Sequence, residues 1–178
     1  SHPLNPYGAE FTTMPLLIRC TQKLLAEIPE NLVDPSATGE GWHANLIRFE
    51  RRKCVLFTHD ATLYSVFVPG LKKPEFERLD EVFGQRLFKT LLWDEFPQDQ
   101  VERMLEACRT IHFSRSNNRS VLGSMNDIRF QIEVHVAHDG GLVNVDLADL
   151  HHRVNRTPLS AVGYRYPVDG FREHLAQA

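Results

Sequence analysis

Apolar residues come in short runs through the first third of the chain and recur at helical spacing after it. "PLLIRC" (15–20) is an apolar run of strand length, and "TQKLLAEI" behind it reads as a short helix begun by Thr21 and stopped at Pro29. The turn formers of "NLVDPSATGEG" (31–41) predict a loop. "WHANLIRFE" (42–50), "KCVLFTH" (53–59) and "TLYSVFVPG" (62–70) then read as three strands whose connections are short enough for hairpins, an antiparallel meander. In the first of these, Trp42, Ala44 and Leu46 share one face, while His43 and Asn45 share the other with Ile47 and Phe49.

From residue 74 the period changes. "PEFERLDEVFGQRLFKTLLWDEF" (74–96) and "QDQVERMLEACRTI" (98–111) predict two helices joined at Pro97, and "HFSRSNNRS" (112–120) reads as a loop or a short strand. In "RSVLGSMNDIRFQIEV" (119–134), Val121, Leu122, Met125, Ile128 and Ile132 form an apolar helical stripe, continued by Val136, while Ser124, Asp127 and Gln131 lie about a third of a turn away. Gly123 and Asn126 sit beyond them; a glycine there suits close packing by a neighbouring element. Asn126 and Asp127 are expected to clamp the basic loop 112–119 and present Arg115 and Arg119 near His43 and Asn45. The last segment, "VDGFREHLAQA", reads as a helix capped by Asp169. Together these elements predict one α+β domain over 14–178. Its small, mainly antiparallel sheet comes from 15–20 and 42–68, with the helices of 74–111 and 119–136 covering one side. The pairing direction of the first strand stays open. Residues 1–13 read as an added tail, with Met14 as the start of the domain.

The chain has 178 residues, enough for one sizeable core. Its net charge of −3 provides no global field to hold a polyanion, so any such contact requires a local patch. Three widely spaced cysteines suit reduced thiols, and no apolar run reaches the length of a membrane span. The expectation is a cytoplasmic protein with no membrane association.

Candidate chemistry is sparse. His135, His138, Asp139, Asp146, Asp149, His151 and His152 are metal-ligand types, but without a compact ligand motif they read as a solvated, histidine-rich turn, so neither a metal nor a cofactor is expected. Cys54 lies in a strand-like run, where a thiol is more often a small buried hydrophobe than a nucleophile. "RFERRK" (48–53) and "RTIHFSRSNNR" (109–119) are the candidate polyanion surfaces, with Phe49, His112 and Phe113 available to stack on bases.

"LIRCTQKLL", the Trp-His-Ala-Asn of 42–45, the Arg-Lys-Cys of 52–54, the Ser-Met-Asn-Asp of 124–127 and "VNRTPLSAVGYRYPVDGF" together resemble a family of small single-domain bacterial proteins with no assigned activity. The resemblance marks Trp42, His43, Asn45, Lys53, Cys54, Asn126 and Asp127 as motif positions. It implies no catalytic set. The favoured reading is a non-enzymatic binding or regulatory domain of the accessory-genome type, meeting a protein or nucleic acid through a cleft of Trp42, His43, Asn45, Lys53, Arg115, Arg119, Asn126 and Asp127. The alternative is a small hydrolase or nuclease using His43, Asn126 and Asp127.

Overall fold

The computed structural model describes residues 14–29 and 31–177; the expected tail at 1–13 lies outside them. Strand β1 (Leu16–Cys20) leads into helix α1 (Gln22–Leu25), and β2 (Glu40–Phe49), β3 (Arg52–His59) and β4 (Ser65–Leu71) form the meander. Helices α2 (Lys73–Phe76), α3 (Leu79–Trp93) and α4 (Gln98–Ala107) follow, then β5 (Ile111–Arg115), α5 (Arg119–His138), α6 (Leu147–Val154) and α7 (Pro167–Ala176). Among the described residues the five strands make one sheet in the order β4-β3-β2-β1-β5. β1 runs parallel to both neighbours, and the rest is antiparallel. The segment 112–115 is therefore a strand, because its backbone completes the far side of β1.

Helices cover both faces of the sheet, not one as expected. Trp42, Ala44, Val55, Phe57 and Val66 point into a core closed by α3, α4 and α7, while Ile47, Phe49, Cys54, Leu56 and Phe67 point into a second core closed by α5 and α6. Apolar side chains alternate to both sides of the central strands, so a single helical layer would leave one set wet. The long helix expected over 74–96 breaks at Arg78, whose backbone leaves the helical region (φ −130°, ψ 43°). Its neighbours Phe76 and Leu79 both reach the core. Asp169 does not cap α7: Tyr166 is the cap, Pro167 opens the helix and Asp169 falls in its first turn.

Both rims of the sheet are covered. On the outer side of β4, α6 presents two side chains one turn apart. Asn155, at the end of α6, accepts from Ser65 N–H at 2.8 Å and donates to Ser65 C=O at 2.9 Å, and His151 Nε2 accepts from Phe67 N–H at 2.9 Å. His151 is thus 2% exposed, not part of a solvated turn as the sequence suggested. On the outer side of β5, Leu32 bridges Phe113 and Val33 N–H donates to Phe113 C=O at 2.9 Å.

In α5 the expected stripe is buried apart from the half-buried Leu122, and Asn118 caps the helix by accepting from Ser120 and Val121 N–H. Gly123 does not serve close packing, since a Cβ built there would meet nothing within 4 Å. Gly123→Ala is therefore expected to raise stability by up to about 1 kcal/mol, read as a higher denaturant midpoint with unchanged slope. A drop in the midpoint would show that something packs on this glycine.

Candidate functional site

The residues singled out by sequence do not meet in one cleft. Trp42 is fully buried in the first core, against Phe83 and Phe171. His43 faces the other way and is also fully buried, with Nδ1 2.7 Å from Asp60 Oδ1. Its Nε2 has no partner among the described residues, so the dyad holds no nucleophile at hydrogen-bond distance. Asn45 accepts from Thr21 Oγ1 at 2.8 Å. Asn45 and Asn126 do share the lining of a cavity of about 300 Å³. Asp127 borders a different one of about 270 Å³, beside Ser124 and Tyr164. The side chains of Asn126 and Asp127 make no hydrogen bond among the described residues, so the expected clamp is not formed by them. β5 and the residues after it are held instead by β1, by Ser116 N–H donating to Cys20 C=O, and by Asn117 donating to Pro35 C=O. Arg115 and Arg119 are exposed. Cys54 is buried and burial raises its thiol above the ordinary range, which disfavours the thiolate.

Lys53 leads to the larger feature. β2 turns into β3 through Glu50 and Arg51 alone, because Phe49 pairs with Arg52. Both turn residues take positive φ (49° and 67°), as a two-residue hairpin of this twist requires, although neither is the glycine or asparagine usually found there. Glu50 offsets its strain by accepting from Leu142 N–H at 3.0 Å. Arg51 has no such partner among the described residues, and its exposed side chain stands at the mouth of a cleft of about 820 Å³. Arg51, Arg52 and Lys53 line this cleft from the hairpin, Lys72 and Lys73 from the junction of β4 with α2, and Ala26 and Glu27 from the end of α1. Lys53 donates to Glu27 at 2.7 Å, and the other four cations make no ion pair among the described residues. Sequence reading found the hairpin cations but missed Lys72 and Lys73. The register that sets Lys53 opposite Leu71 was the signal for them.

Comparison with known families bears on this arrangement. A model described as a domain of unknown function (DUF6933) matches residues 17–170. The chain belongs to this family. The match to DUF6933 takes in all five strands apart from Leu16, and α1 to α6, so the cleft belongs to the DUF6933 domain, while most of α7 lies beyond the match. No curated protein matches the chain. Among the described residues no helix of this DUF6933 domain is long and apolar enough to cross a membrane.

Proposed function

We propose that this domain is a non-enzymatic binding module that takes an anionic partner, carboxylate- or phosphate-bearing, in the cleft between the β2–β3 hairpin and the start of α2. The observation that carries the reading is charge concentration. Five cations from two turns border one cleft that contains a single carboxylate, on a chain whose net charge is −3. Four like charges left unpaired around a concavity repel one another, and an arriving polyanion relieves that repulsion while releasing its counterions. A volume near 820 Å³ falls in the range of ligand sites.

Acidic protein segments suit the cleft better than single-stranded nucleic acid. Of the three side chains that could stack on bases, Phe49 and Phe113 are buried and His112 alone is exposed, on β5 rather than in the lining of the cleft. The hydrolase reading is the weaker one, because His43 is enclosed and Asn126 and Asp127 open onto separate cavities.

The test is fluorescence anisotropy with a labelled poly-glutamate peptide and a labelled single-stranded oligonucleotide, each titrated at low and at physiological salt. Peptide binding should be salt-dependent and should fall at least about tenfold in an Arg51→Glu, Lys72→Glu, Lys73→Glu variant, while Arg115→Glu leaves it unchanged. Equal binding by the charge-reversed variant, or none by the native protein, would remove the cleft from consideration.

A further inference from the structure

At the end of the sheet away from the hairpin, three side chains from three elements converge. Glu40 opens β2, His59 closes β3 and His174 lies in the last turn of α7. Nε2 of each imidazole stands 2.7 Å from the same oxygen, Oε1 of Glu40, and the three atoms fall within 4.8 Å of one another. We propose that Glu40, His59 and His174 form a binding site for a divalent first-row transition metal of the zinc or ferrous type.

Two imidazoles and one carboxylate are the donor set such ions take in sites that keep coordination positions open. In the metal-free arrangement two N–H groups point at one carboxylate oxygen. When each ring carries its proton on Nδ1 instead, with any second proton released to water, both Nε2 lone pairs and Oε1 of Glu40 are free for one cation. Metal–ligand bonds near 2.1 Å hold tetrahedral donors roughly 3.4 Å apart, so each 2.7 Å contact has to open by less than about 1 Å. His174 can make that adjustment, since its side chain is 35% exposed. His59 stays fixed by edge contacts with Trp42 and Phe171, whose ring centroids lie 5.2 and 4.9 Å away.

The surroundings suit both states of His59. Its Nδ1 is 2.8 Å from Thr62 Oγ1, a hydroxyl that donates in one tautomer and accepts in the other. When Nε2 is a metal ligand, Nδ1–H donates to that oxygen, the usual outer support of a ligating histidine. Both imidazoles already bond to Oε1 of Glu40, so the carboxylate is oriented toward the two ring nitrogens before any ion arrives. A cavity of about 380 Å³ is bordered by His174 and by Thr62, the partner of His59, so open space lies beside the cluster.

The test uses cobalt(II) as the probe on the full chain. One equivalent should produce the visible absorption of four- or five-coordinate cobalt, and zinc should displace it. Glu40→Gln and His174→Ala should each abolish the signal with far-ultraviolet circular dichroism unchanged, and a His135→Ala, His138→Ala variant should keep it. His174 is partly exposed on a surface helix, so its loss leaves a folded chain on which the result can be read. A native chain that gives no saturable signal would mean that the cluster is a hydrogen-bonded clasp only. A signal undiminished in both ligand variants would place cobalt elsewhere. Either result overturns the proposal.

Discussion

Asp94→Ala should lower the free energy of unfolding by about 3 to 5 kcal/mol, the range for breaking a buried charged pair from one side. The Asp94 carboxylate is 1% exposed at the end of α3. It accepts from Tyr64 Oη at 2.6 Å and from Arg156 Nη1 at 2.8 Å, while Arg172 donates to its backbone carbonyl. These contacts tie β4's approach, the segment after α6, and α7 to one point. Without the carboxylate the fully buried Tyr64 hydroxyl loses its acceptor and Arg156 its counter-ion. Arg156 is a quarter exposed and recovers some hydration, so the lower half of the range is the better expectation. Asp94→Asn keeps an acceptor for Tyr64 and should lose less. Chemical denaturation measures both, and a loss below about 1 kcal/mol for the alanine variant would show that the cluster is replaceable.

Acid should loosen the contact between α6 and β4. His151 donates from Nδ1 to Leu147 C=O at 2.6 Å and accepts at Nε2 from Phe67 N–H, an arrangement that requires the neutral ring. Burial brings its pKa down to about 4. A folded value below the unfolded one means that the contribution is complete above about pH 6.5 and is lost as pH falls toward 4, where protons bind the unfolded chain first. The whole contribution is on the order of 3 kcal/mol. His174 acts in the opposite sense. Its hydrogen bond to Glu40 raises it, so its share of stability persists below pH 6.5 and fades as pH rises through the raised value. Comparing the fall in stability between pH 7 and pH 4.5 for the native chain and for His151→Gln isolates His151 from the other titrating groups. Parallel curves would be incompatible with this assignment.

The meander, the four longer helices and the alternation of β2 were legible because each is a local pattern. Trp42 and His43 separate to opposite faces as their parity requires. Helix α6 was not legible: its inner face carries His151 and Asn155, polar residues whose partners lie 84 and 90 positions away in the chain. The two-sided covering was missed for a related reason, since the apolar residues on both faces of β2 and β3 were visible but which helix met which face was not. The site divides in the same way. Arg51, Arg52 and Lys53 are contiguous and stood out, whereas Lys72 and Lys73 join them only through strand register. His59 near Glu40 follows from the β2–β3 pairing that sets Trp42 opposite it, but nothing local brings His174 to them.

The covering of both rims by Asn155 and His151 on one side and by Leu32 and Val33 on the other has a consequence for recognition. An extended peptide gains affinity from a sheet by hydrogen bonding to an open edge, and here Ser65 N–H and C=O, Phe67 N–H and Phe113 C=O are already taken. Strand addition, whether by a foreign segment or by a second copy, would first have to peel α6 away or unseat the 32–33 bridge. At these positions a partner meeting the native fold finds side chains rather than free backbone groups.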